Sequence, residues 1–576
     1  MSEASYYHRE LERLRQQAAR FAKAHPSLAP LLSGPSADPD VERILEGVAF
    51  LTGSIRQRLD DELPDFAQAL MQLIYPHYLR PLPAATIMVF PPKRILKDRL
   101  CIPAGTYIDS SEIDGVSCRF ATCYDLEVVP LELLSAKGQE QRASRSSIEL
   151  QFRLSGLSLS HWQPQSLRLY LAGDYPGACD LYLLLLEHLQ GVTAVDAQGV
   201  ERPLPRAHAR GVGFSPDEAL LNYPSHSFPA YRLLQEYFIL KEKFLFIDLV
   251  GLDGLQALTT GQFSLRLHVD TRSLCLPSID PNRFVLHAVP AVNLFEHEAE
   301  PVNLDQRRSE IEIRPRKSRK GQYAIHEVKR VLGYNRSTGE KQEYRPLGMF
   351  ALAEANGPVY ETRFHAREGD ADETLRLNLS YPPEYSMPPQ ETLMVSLVCS
   401  NGSLASKLRP GDISHPTSQT SELVSFENIL PPSAAVPSPA DNGMLWRLLS
   451  HLSLNYLPLA DTANFRSLLE LYVFPGAGSR KTEMANRKRI EGVQNITVKP
   501  ADCLIQGIPM RGQSIELSAG REHFSSLGDF YLFGAIADQL FSSFATINCY
   551  TQTTLVEANT GEQFQWPARL GSRPLI

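Results

Sequence analysis

Between residues 5 and 24 the apolar side chains Tyr7, Leu11, Leu14, Ala18 and Phe21 recur at spacings of four, three, four and three. Arg9, Glu10, Glu12, Arg13, Arg15, Arg20 and Lys23 fill the positions between them. A turn of 3.6 residues gathers the first set into one stripe and leaves the charges in water, so the pattern predicts an amphipathic helix. His25-Pro26 ends it, because the residue before a proline is pushed out of the helical region. A link punctuated by Pro26, Pro30, Pro35 and Pro39 follows. Asp38 then stands as an N-cap, Pro39 at the first helical position and Asp40 in the first turn of a second helix. Its apolar face runs Val41, Ile44, Leu45, Val48, Leu51, Ile55 and Leu59. Asp60-Asp61-Glu62 and Pro64 predict its end, and Phe66, Leu70, Leu73 and Ile74 predict a third helix reaching Pro76.

From about Ala84 the pattern becomes short apolar runs between turn residues: 86–90, 120–129, 167–171 and 263–269, then 291–295, 325–332 and 393–399. That alternation is the mark of β-rich domains. The stretch 231–249 reads as a helix that passes into a buried strand. Leu430–Gly443, rich in proline and small residues, reads as an extended, solvated linker. Beyond it, helices are expected at 444–452, at 462–472 with Asp461 as N-cap, and at 529–544, with strands at 546–556 and near Gln563. The chain is therefore expected to be a multidomain α+β protein. Its parts are an N-terminal helical segment (1–82), a β-rich domain with an inserted helix (83–275), a second β-rich domain (276–430), a linker (431–443) and a C-terminal α+β domain (444–576).

At 576 residues the chain exceeds a single core, and its 43% hydrophobic and 21% charged content is that of a globular protein. A net charge of −8 argues against a whole-protein role in coating nucleic acid or anionic membrane. The eight cysteines include no CxxC pair, so neither a disulfide framework nor a zinc knuckle is expected. No apolar signal core opens the chain, and the longest aliphatic run, Leu181–Leu186, is far short of the ~20 residues that span a bilayer. The expected location is the cytoplasm, without direct membrane insertion.

Candidate chemistry is thin. Pro475–Thr482 (PGAGSRKT) suggests a phosphate-binding loop, but Arg480 and Pro475 hold the two positions that require glycine, so a surface turn is expected. No HExxH, HxH or HxxxH spacing occurs among the fifteen histidines. His297 with Glu298 and Glu300 reads as a solvated cluster, and the carboxylate pairs Asp38/Asp40 and Asp60/Asp61 as helix ends rather than a glycosidase pair. No catalytic, cofactor or metal residue is assigned, and no cofactor is expected. The run Arg314–Lys320 carries five basic residues in seven without interleaved aromatics, so a solvated loop is expected and nucleic-acid binding is not. The first stripe carries the most information. A helix of that length needs a cover for its apolar face, either helices of its own chain or those of a partner reached across the proline-rich link.

Several blocks resemble one family. Tyr6–Phe21 (YYHRELERLRQQAARF), Asp38–Leu51 (DPDVERILEGVAFL), Leu59–Glu62 (LDDE) and Tyr75–Pro83 (YPHYLRPLP) resemble the opening of the TssF (VasA/ImpG) family of type VI secretion baseplate subunits. The likeness continues through Tyr231–Leu252, Val292–Phe295 (VNLF), Leu445–Leu457 and Ile547–Tyr550 (INCY) to Trp566-Pro567. It departs at Leu240-Lys241, where proline is expected, and at Ala84-Ala85. The resemblance implies a structural wedge subunit of a contractile, phage-tail-like machine, and not an enzyme. It implies two copies of the chain per TssG-like subunit, with a TssK-like adaptor, a TssE-like subunit and a spike or hub as further partners, docked at an inner-membrane complex. It also implies that Tyr7, Leu11, Leu14, Ala18 and Phe21 form a partner interface in an intermolecular helix bundle. The alternative class is a cytosolic carbohydrate-active enzyme built from β domains.

Overall fold

The computed structural model describes the chain except residues 1–2, 25–38, 142–144, 224–226, 229, 259–260, 273, 305–309, 319–320, 337, 348–356, 367–372, 383–390, 440–449, 451–460, 475–479, 506 and 572–576. The chain divides into two compact units, one taking in Met1–Leu73 and the other Ile74–Pro439 and Ser450–Ile576. The expected link at 26–38 and the expected helix at 444–452 lie almost wholly outside the described residues.

Among the described residues of Met1–Leu73 there are two helices, not three. Helix α1 spans Glu3–Ala24 and helix α2 spans Pro39–Ile74, 36 residues without a break at Pro64. A proline in a helix interior forfeits one backbone hydrogen bond and crowds the preceding turn, at a cost of about 3 kcal/mol. A helix this long retains its bonds on either side, so the expected third helix is the continuation of the second.

The second unit is built on mainly antiparallel sheets whose strands come from distant parts of the chain. A five-stranded sheet runs in the order 427–428, 85–89, 288–292, 116–122, 107–113. Ala85–Val89 and Ala288–Val292 are buried at every position, as expected of strands covered on both faces. They pair from Ala85↔Val292 to Val89↔Ala288. Because 288–292 lies between 85–89 and 116–122, the first core draws residues from 84–128, 289–291 and 404–424, across the boundaries expected at 275.

The described part of the expected linker, through Pro439, lines this sheet's edge. Ile429 N–H donates to the Ile87 carbonyl, Ser433 N–H to Ala85, and Leu82 and Val436 exchange two bonds of 2.8 and 2.9 Å. Val436 is buried. Prolines at alternate sites keep a segment extended without disturbing the residues between them, and those residues supply the bonds.

Residues 131–285 form two more sheets, of five and four strands. Residues 295–400 form a twisted eight-stranded sheet over a second core. A buried asparagine pair joins this sheet to the first: Asn293 Nδ2 donates to Asn401 Oδ1 (2.8 Å) and Asn401 N–H to Asn293 Oδ1 (2.7 Å). The stretch 231–249 behaves as expected, with helix α4 (Ala230–Ile239) passing through a 3-10 turn into the buried strand Phe246–Val250.

The aliphatic run Leu181–Leu186 belongs to helix α3 (Tyr175–Glu187), which is buried around most of its circumference. It packs on helix α7 (Leu527–Phe544), capped by Ser526. Contact is closest at Gly528, where a Cβ would lie 2.1 Å from the Cys179 carbonyl oxygen. Between them in sequence, α5 (Thr462–Leu471) starts at Asp461, whose carboxylate accepts from Asn464 N–H (3.3 Å), as expected. Helix α6 (Arg480–Gly492) follows and opens into a long hairpin, Val493–Ile505 and Ile508–Ala519, which pairs in parallel with Cys549–Glu557.

Two expected outcomes follow from this packing. Gly528→Val should destabilise the chain by about 1–3 kcal/mol or more, because overpacking forces two buried helices apart; an unchanged thermal midpoint would contradict the close contact. His326 donates Nδ1–H to the Pro81 carbonyl (2.8 Å), and burial pushes its pKa down to about 3, with Arg80 adding to the effect. The unfolded histidine titrates near 6.5, so below that pH only the unfolded chain takes up this proton, and stability falls as pH drops from about 6.5 toward 3. His326→Gln keeps a donor for Pro81 and should flatten that slope in urea titrations at stepped pH.

Candidate partner interface on the N-terminal helices

Helix α1 forms because its polar residues are strong helix formers and its apolar ones share a face. It lies antiparallel to α2, as three contacts establish. The α1 backbone at Tyr7 passes Gly53, where a Cβ would sit 3.2 Å from the Tyr7 nitrogen. Arg56 Nη1 donates to Glu10 Oε1 at 2.6 Å, and Arg15 Nε donates to Glu42 Oε1 at 2.9 Å. Glu10 is only 7% exposed, so its pair with Arg56 is the better shielded of the two ion pairs. The Arg15–Glu42 pair is half in water and contributes about 0–1 kcal/mol.

The five predicted interface residues divide accordingly. Leu11 is buried together with Tyr6 and, on α2, Ala49. Tyr7, Leu14 and Ala18 are half-buried, and Phe21 is 48% exposed. Part of the α1 stripe is therefore covered within the chain itself.

The exposed apolar face belongs to α2. Ile44, Val48, Leu51 and Ile55 are 65, 40, 62 and 59% exposed, and recur at spacings of four, three and four. At 100° per residue this stripe points about 140° away from the mean direction of Glu42, Ala49, Gly53 and Arg56, which face α1. Thus α2 has two distinct faces: Glu42, Ala49, Gly53 and Arg56 meet α1, and the apolar stripe is open. A heptad-like seam of this kind inserts between the ridges of another helix. The sequence displayed both stripes; which of them is left open depends on Gly53 admitting α1 on the opposite face.

Elsewhere the candidate groups are engaged with their neighbours. His297 Nε2 lies 2.8 Å from the Arg316 carbonyl, its ring edge-on to Tyr323, while Glu298 accepts from Ser396 Oγ (3.1 Å). Among the described residues no group of three His, Cys, Asp or Glu side chains is placed to hold a metal ion. An open cavity of about 430 Å³ is bordered by two carboxylates, but Asp109 is held by Arg119 (2.8 Å) and Glu296 by Lys329. The basic run begins in the turn after the strand Glu310–Ile313, where Arg314 pairs with Glu312 (3.1 Å). Arg480, in the loop that superficially resembles a phosphate-binding site, is the first residue of α6. Among the described residues no helix is long and apolar enough to cross a membrane.

Three comparisons with known proteins give the following. The family model for "Type VI secretion system, TssF" matches residues 3–573. Type VI secretion system component TssF1 of Pseudomonas aeruginosa is 29% identical over 637 aligned positions, covering 99% of this chain and 98% of that one. The fold is similar to a chain of the type VI secretion TssK-TssF-TssG baseplate subcomplex solved by cryo-electron microscopy, with TM-score 0.79, 26% identity, and coverage of 92% of this chain and 99% of that chain. A chain of a type VI baseplate complex shares the fold at TM-score 0.61 and 22% identity over the full length of both chains.

Gly53→Leu should separate α1 from α2 while leaving the second unit intact. The expected result is rapid proteolysis within residues 1–73 with an unchanged main melting transition; equal protease resistance in variant and parent would rule out the close helix contact.

Proposed function

The chain belongs to the TssF family of type VI secretion proteins, and from that premise we propose that it is a structural wedge subunit of the secretion baseplate. In this reading it assembles in the cytoplasm with a TssG-like subunit and a TssK-like adaptor, and docks with them at the inner membrane. Support comes from the full-length similarity to a chain of the TssK-TssF-TssG subcomplex. The observation that carries the reading is the open stripe Ile44, Val48, Leu51 and Ile55 on a helix whose other side is already occupied.

The work of such a subunit is mechanical. Burying four large aliphatic side chains at roughly 1.5–3 kcal/mol each supplies several kcal/mol to an intermolecular bundle. The α1 residues Tyr7, Leu14, Ala18 and Phe21 join the bundle at its margin, while Leu11 acts by holding α1 on α2. This refines the five-residue stripe into an outer and an inner set. A machine that contracts needs interfaces that hold one arrangement until a neighbouring ring rearranges, and helix seams are bistable in that sense.

The test is co-expression with a TssG-like subunit. Leu51→Asp with Ile55→Asp should abolish co-purification, with the thermal midpoint of the free chain unchanged because both positions are exposed. Leu11→Asp should lower complex yield and also loosen α1. Full complex recovery with the Leu51/Ile55 double variant would sink the proposed seam.

A further inference from the structure

Met484 is 63% exposed in the first half of α6, and it is surrounded by cations. The residues three and four positions to either side of it are Arg480, Lys481, Arg487 and Lys488. On a helix these are the four positions that share a face with residue 484, one turn before it and one turn after. All four are exposed. Arg487 is shared with Glu483 (2.7 Å), while Arg480, Lys481 and Lys488 have no ion pair among the described residues. In a chain of net charge −8, an apolar side chain ringed by cations stands apart from the rest of the surface.

The far side of α6 holds this ring in place. Asn486, Arg489 and Ile490 are buried, and Arg489 donates to Asp529 (2.8 Å) and to Asn486 Oδ1 (3.1 Å). At 100° per residue these three point about 120–160° away from Met484. The helix therefore keeps the ring turned outward for as long as the buried Arg489–Asp529 pair is intact. Nor do the cations serve the helix itself. Arg480 and Lys481 occupy its first turn, where positive charge opposes the helix dipole.

The chemistry of the ring selects among anionic partners. A phosphate backbone is bound by donors alone and leaves Met484 without a counterpart. A lipid surface calls for a broad apolar face, and the outer face of α6 carries one large apolar side chain. An acidic polypeptide meets both needs, with carboxylates for the cations and an apolar side chain for the adaptable thioether. The ring extends one turn, about 5–6 Å, to each side of Met484. Its complement on a helix is an apolar residue with Asp or Glu three and four positions before and after it.

We propose that the outer face of α6 is a docking surface for an acidic helix of a partner protein, which sets one large apolar side chain against Met484 between two pairs of carboxylates. The site goes beyond the N-terminal seam and does not depend on it. It also gives Arg480 and Lys481, in the sequence that superficially resembles a phosphate-binding loop, a role as one side of the ring.

The experiment titrates full-length chain into two fluorescein-labelled, helix-stabilised peptides. One carries Leu with Glu three and four positions before and after it, and the other has Lys at those four positions. The acidic peptide should bind and the basic one should not, and raising salt from about 0.05 to 0.3 M should weaken the complex about tenfold or more. Met484→Asp, and separately Lys481→Glu with Lys488→Glu, should each weaken binding about tenfold or more, with the thermal midpoint unchanged because all three positions are exposed. Met484→Leu should retain binding, and the Lys481/Lys488 reversal should gain affinity for the basic peptide. A single-stranded oligonucleotide and phosphatidylglycerol vesicles are titrated alongside. Acidic-peptide binding that is absent, or that survives either disruptive variant, overturns the proposal. So does tighter binding of the oligonucleotide or the vesicles that Met484→Asp leaves unchanged.

Discussion

Glu236 has no accessible surface, and yet it is a carboxylate. Its Oε1 accepts from Leu220 N–H (2.7 Å), Leu221 N–H (3.2 Å) and Arg232 Nη1 (3.2 Å), while Oε2 accepts from Arg232 and Lys243. The three charges were taken out of water together, and burial pushes Lys243 below the usual lysine range despite the adjacent carboxylate. A cluster of this kind adds little net stability over apolar residues of the same size. Once present, however, it tolerates the loss of no partner, since removing one leaves a buried charge at a cost of about 3–5 kcal/mol. It therefore fixes α4 in one position. From α4, Gln235 reaches the His77 carbonyl (3.4 Å), Tyr231 stacks on Tyr472, and Tyr237 lies against Phe533 of α7. The loop at Leu220–Leu221, the short helix Pro76–Leu79, Tyr472 and α7 are all held against that helix.

A second buried pair performs the same task further along. Arg489 of α6 donates to Asp529 at 2.8 Å, and Asp529 also accepts from Tyr175 and Ser525. These bonds tie the start of α7 to α3 and α6, beside the Gly528 contact. The core of the second unit is thus pinned by charges that have nowhere else to go, and ten of the fifteen large apolar side chains exposed among the described residues lie on the first unit's helices and at one end of the C-terminal sheet. Rigid interior and concentrated sticky margins suit a subunit whose role is to be built into something larger.

The blocks that carried the family resemblance correspond to these nodes. YPHYLRPLP supplies the buried Tyr75, His77 and Tyr78; YRLLQEYF supplies Arg232 and Glu236; VNLF supplies Asn293; INCY supplies the buried Tyr550. They are recognisable because each combines polar or aromatic groups that only a particular set of neighbours satisfies. By contrast, the 493–519 hairpin gave little sign of itself. Lys499, Pro500 and Asp502 interrupt its alternation, and the bonds on its outer side are made to a strand thirty or more residues away. The same holds for 429–438, whose prolines read as a solvated linker until the edge at Leu82–Ile87 is there to receive it.

Local periodicity and capping by themselves determined the helical character of the first unit, the capped start at Asp461, a helix near 529–544, the many short strands, and the presence of apolar stripes needing cover. These depend on dihedral preferences and side-chain spacing within a few turns of chain. Only the tertiary structure decided which stripe stays open. The α1 stripe and the α2 stripe look alike as sequence, and the outcome turns on Gly53 lacking a Cβ where α1 passes, and on Glu10 and Arg56 meeting across 46 residues. Likewise, the continuity of α2 through Pro64, the insertion of 288–292 between strands two hundred residues earlier, and the apolar sheet end at Leu504 and Ile508 follow from long-range register. Register is set by what is buried together, and that is a property of the folded chain as a whole.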